Sequence, residues 1–116
     1  MTHLDDMATR VQAALAGTGL RAVIDPAAAV PPCLLVGYVP SPQRETAYGV
    51  VYEWTAILMA PRSTGWLAAQ WLAEHHKIVR DALDSVGRVT EQAGIEYAPD
   101  SETPLMPAYV YTLEAT

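Results

Sequence analysis

YGVVYEWTAILMAPRSTGWLAAQWLAEHHKIVRDALDSVG, residues 48–87, changes its periodicity part-way along. As far as Ala60 it alternates, with Tyr52, Trp54, Ala56 and Leu58 on one side and Glu53, Thr55, Ile57 and Met59 on the other. A period of two is that of a β-strand. The second side starts polar and ends apolar, so that end of the strand is expected to be buried on both faces. Pro61 breaks the strand, since it has no N–H to give to a ladder. Ser63 or Thr64 is placed to cap a helix. From 64 to 86 the period becomes helical. Trp71, Leu72, Ile78, Val79, Ala82, Leu83 and Val86 form an apolar stripe, and Gln70, Glu74, Lys77, Asp81, Asp84 and Ser85 a solvated one. Gly87 ends the helix. A long strand that leads into a long amphipathic helix predicts a helix packed on a sheet.

The flanking segments extend that layout. Residues 3–16 read as an amphipathic helix, with Leu4, Met7, Val11, Ala14 and Leu15 on its apolar side, stopped by Gly17-Thr18-Gly19. A short strand over 20–25 and a Pro-containing loop over 25–32 come next. A strand over 33–39 then puts Leu34, Val36 and Tyr38 on one face. Residues 40–46, PSPQRET, read as a polar loop stiffened by two prolines. Beyond the long helix, 88–98 is a strand interrupted near Ala93-Gly94, 99–107 an acidic, Pro-rich loop, and 108–114 a last strand. The order α-β-β-β-α-β-β predicts an α+β fold in one domain over 1–116. Its single, mainly antiparallel sheet has about five strands, with both helices packed on one face. The other face, which carries Glu53, Thr55, Ile57 and Met59, is then free to meet another subunit.

Composition narrows the function. The 116 residues carry 13 acids against 7 bases, a net charge of −6, and the bases are scattered. A protein that grips phosphates needs clustered Lys and Arg, so tight nucleic-acid binding is not expected, although an acidic surface past which DNA slides is compatible. Cys33 is the only cysteine and lies in the apolar run Cys33-Leu34-Leu35-Val36. It can form no intramolecular disulfide and reads as a buried, inert thiol. No apolar run approaches the ~20 residues of a membrane span. The N-terminal residues lack the basic start and apolar stretch of a signal peptide, so the expectation is a soluble protein made in the cytoplasm.

No residue pattern points to chemistry. His75 and His76 are adjacent, so on a helix they point about 100° apart and cannot share a metal. The expected arrangement is one at the core edge and one exposed. Asp5-Asp6 belongs to a helix start, Asp81 and Asp84 to a solvated face, Asp100 and Glu102 to a loop. Paired-carboxylate catalysis needs an acid in an apolar setting. Glu53, between Tyr52 and Trp54, is the one acid near that description, and a strand-face charge that reaches solvent is the commoner case. Gly17-Thr18-Gly19 lacks the third glycine of a phosphate loop and follows a helix instead of a strand. The reading is no catalytic residue, no metal and no cofactor. Trp66, in the first turn of the long helix, is either an exposed interface anchor or a cover for the end of the sheet.

Several local features recur together over nearly the full length. They are the helix ending Gly17-Thr18-Gly19-Leu20-Arg21, the Asp25-to-Pro32 loop with Pro31-Pro32 before a strand, and the strand Tyr52-Glu53-Trp54-Thr55 ending Met59-Ala60-Pro61. The long helix closing Val79-Arg80-Asp81-Ala82-Leu83 and a final strand pair complete the set. In this pattern the chain resembles the tail terminator proteins of long-tailed bacteriophages, especially those of phages infecting actinobacteria. The resemblance implies a non-enzymatic ring, a hexamer seated on the last ring of the tail tube. Such a ring stops tube growth and offers its opposite face to the head connector or stopper protein, while DNA passes through the central hole. It implies a place in the virion tail or neck, with assembly in the host cytoplasm. On that reading the loops 40–47 and 99–107, with Asp100 and Glu102, face the tube, the connector or the channel. Arg44 and Glu45 make charge pairs between subunits, and Glu53, Thr55, Ile57, Met59 and Trp66 are further interface candidates. Three alternatives stay open: a head-completion or stopper protein of the same neck region, a small ligand-binding α+β module, and a small enzyme built around Glu53.

Overall fold

The computed structural model describes residues 3–25, 27, 29–46, 49–98, 101, 102 and 104–115, and side chains for all of these except 3–5, 38–46, 49–52 and 115. The elements run α1 (His3–Ala14), β1 (Ala22–Val23), β2 (Cys33–Thr46), β3 (Gly49–Met59), α2 (Gly65–Val86), β4 (Arg88–Tyr97) and β5 (Met106–Ala115). This is the expected α+β order. The five strands form one sheet in the order β1-β2-β3-β5-β4. All pairings are antiparallel except β1 with β2, which is parallel.

Alternation builds the core. Leu34 and Val36 of β2, Trp54, Ala56 and Leu58 of β3, and Tyr111 and Leu113 of β5 form one continuous cluster. Register brings them together, with Leu34 opposite Leu58, Val36 opposite Ala56, and Ala56 opposite Tyr111. Met7, Val11 and Leu15 of α1 and Ala68, Leu72, Val79 and Leu83 of α2 complete the cluster, so both helices lie on that face. The α2 stripe is narrower than its periodicity predicts: Ile78 is exposed and Trp71 only half-buried.

The helix ends follow their local chemistry. Thr64 caps α2, its Oγ1 accepting from the Leu67 N–H at 3.3 Å. Gly17 and Gly19 take φ of +84° and +78°, the left-handed region where a side chain would be strained. Gly87 ends α2 differently, in extended backbone, while its N–H still bonds Leu83 O. Arg10 of α1 donates to Val86 O at 2.8 Å, which places a cation on the carbonyl end of α2 and ties the helices together. Gln12 donates to Leu20 O and accepts from the Ala22 N–H, and so holds the chain as it enters the sheet.

Four expectations are corrected. Residues 40–46 are not a loop: they continue β2, and Gln43 to Thr46 pair with Tyr52 to Gly49. Pro40 and Pro42 fit because the register shifts between Tyr38 and Gln43, a bulge in which four residues face one and no ladder N–H is demanded of a proline. The irregularity in β4 falls at Thr90, not at Ala93-Gly94. The strand expected over 20–25 shrinks to Ala22–Val23, and β5 begins at Met106, so the loop before it is shorter than 99–107.

Candidate interaction surface

The sheet face turned away from the helices is organised in rows. Cys33, Met59, Ala108 and Ile95 share one row, followed by Leu35, Ile57, Val110 and Ala93. Next come Gly37, Thr55, Thr112 and Glu91, and then Glu53, Glu114 and Arg88. The face therefore grades from apolar to charged along the strands, as the alternation in β3 implied. At the apolar end Cys33, Leu35, Met59 and Ala108 are already buried, outside the main core. A cleft there is lined by Pro31, Met59, Tyr97, Pro104 and Met106, so loop residues close over that end. Ile57, Val110, Ile95 and Thr55 are half-buried and Ala93 is exposed. These residues form the uncovered apolar band.

The interface candidates separate by position. Glu53, Thr55 and Ile57 lie on the uncovered face, with Glu53 opposite Glu114. Like charges side by side disfavour the sheet, and Arg88, opposite Glu114 on its other side, offsets this. Met59 shares the face but is covered within the chain. Arg44 and Glu45 are in the β2–β3 hairpin, opposite Val51 and Val50. Trp66 is 71% exposed at the start of α2, so it does not cover the end of the sheet. Glu102 is exposed, and Asp100 lies outside the described residues.

Both histidines are half-buried, against the expectation of one exposed. The His75 ring stacks on Trp71 with centroids 4.1 Å apart, and its Nδ1 lies 2.7 Å from Trp71 O. His76 meets Tyr109 edge-on and lies 3.3 Å from the Gln92 amide nitrogen, and the Tyr111 hydroxyl donates to His76 O. These contacts tie α2 to β4 and β5. Among the described residues no three His, Cys, Asp or Glu side chains converge in a way that would hold a metal ion. Burial pushes the Cys33 thiol above its usual range, with Arg21 pulling slightly the other way; the Cys33 sulfur sits 3.8 Å from that of Met59. Burial likewise pushes the Tyr111 hydroxyl well up. The troughs beside α2 are separate, one with Leu72, Gly94, Glu96 and Tyr109, the other with Leu67, Gln70, Trp71 and Glu74. No described helix is long and apolar enough to cross a membrane.

Sequence reasoning missed Gln12, which lies off the apolar side of the first helix. It also missed the length of the β2–β3 hairpin, hidden by its prolines. No family model matches this chain, and no curated protein matches it either.

Proposed function

We propose that this chain is a structural assembly protein that works as a ring of identical copies, a phage tail terminator that caps the tail tube and joins it to the head connector. The observation that carries the reading is the uncovered sheet face, with its half-buried band of Ile57, Val110 and Ile95 beside exposed Ala93. A sheet with one apolar face under helices and a second apolar band left open asks for a further protein surface. The resemblance of the chain to tail terminators supplies the identity of that assembly. The net charge of −6 suits a channel through which DNA must move without adhering.

Light scattering on the purified protein, alone and with the cognate tail tube protein, tests this. The expected species has six times the 12.5 kDa chain mass, free or on tube ends. A protein that stays monomeric and ignores the tube overturns the reading. Binding to the connector without binding to the tube moves it to the stopper class.

A further inference from the structure

We infer that, in the assembled ring, the β2–β3 hairpin arm of one copy adds as a strand to the free edge of β4 in the next. The inference rests on the ring reading and names the contact that would propagate it.

Two unpaired backbone edges carry the argument. The first belongs to the arm. Among the described residues β3 pairs with β5 from Tyr52, where Tyr52 meets Ala115, while β2 and β3 continue to pair as far as Thr46 and Gly49. Residues 43–46 and 49–51 are therefore a two-stranded ribbon running past the end of the sheet, in a molecule measuring 46 × 28 × 24 Å. A two-stranded ribbon alone in water is marginal and gains from a third strand.

The second edge is β4, the terminal strand of the sheet. It is ten residues long and contains no proline and no lysine, although Arg88, Glu91 and Glu96 put charge along it. Its irregularity is confined to Thr90, which leaves Glu91–Tyr97 regular. The opposite margin of the sheet is less suited. β1 covers β2 at Leu34 and Leu35, and the bulge with Pro40 and Pro42 interrupts the rest of that strand. Charge selects the partner for β4. Its regular stretch carries Glu91 and Glu96, so β4 set against β4 brings acid to acid, whereas the arm carries one Arg44 and one Glu45 and is neutral. Symmetry agrees: pairing β4 with itself closes at two copies, whereas arm-to-edge pairing is head-to-tail and can close as a ring.

The test replaces residues 44–51 by an Asn-Gly turn. The shortened protein should melt close to the wild type, because among the described residues the arm pairs with no other strand, while its mass in light scattering falls from ring to monomer. In a Cys33→Ala background, Val50→Cys and Ala93→Cys proteins are then mixed and oxidised. A disulfide-linked dimer should form in the mixture and in neither protein alone. Full assembly without the arm overturns the inference and leaves the ring reading intact, as does self-linking of the Ala93→Cys protein with no link in the mixture. A wild type that never assembles, with or without tube protein, overturns both.

Discussion

Tyr111 shows how much one side chain joins. It is fully buried at the centre of β5 and its hydroxyl donates 3.3 Å across to His76 O on α2. Tyr111→Phe keeps the ring and loses that bond, which should cost about 1 kcal/mol at neutral pH in urea denaturation. The pH dependence has a definite sign. Burial raises the folded-state pKa of Tyr111 above that of the unfolded chain, so its contribution is complete below about pH 10 and is lost as pH rises beyond it. Above that point the wild type should lose about 1.4 kcal/mol per pH unit more than Tyr111→Phe. Equal slopes for the two proteins would contradict the burial of this hydroxyl. Gln12 teaches the complementary point. Its place on a helix surface was legible, but its two bonds to Leu20 and Ala22 depend on a chain reversal that no local pattern specifies.

Among the elements, α2 was the most legible, because 22 residues of helical period leave little ambiguity. Its start rests on Thr64, and Thr64→Ala should lower stability by about 1 kcal/mol, measured by thermal or urea unfolding. Ser63→Ala should do much less, since the Ser63 hydroxyl bonds only carbonyl oxygens, those of Pro61 and Thr64. β2 was the least legible. Pro40 and Pro42 read locally as loop residues, and only the partner strand β3 makes the segment a strand by accepting it with a bulge. In β4, glycine at 94 drew attention to the wrong place. Gly94 sits in regular pairing opposite Tyr109, and the extra residue is Thr90, whose hydroxyl bonds Thr112 O.

At the scale of the whole molecule the sheet has one face closed by α1 and α2 and one face graded from apolar to charged. Ile57 stands in the middle of the second. If that face meets a neighbouring subunit, Ile57→Asp should leave far-UV circular dichroism unchanged and melting only modestly lowered, while assembly with the tube protein falls at least tenfold. Undiminished assembly would remove this face from the interface. Met59 is no substitute target, because it is already buried within the chain and its replacement would damage the fold first.

Periodicity and breakers are local properties, and they determined what is local. They set the number and order of helices and strands, the division of β3 into an inner and an outer face, and the stops at Gly17, Pro61 and Gly87. Pairing between distant segments decided the rest. The parallel docking of Ala22–Val23 on β2, the bulge at Thr90 and the burial of Cys33 and Met59 all depend on which strand lies alongside. A hydrogen-bond ladder is satisfied by a partner far away in the chain, so its register is a property of the folded whole.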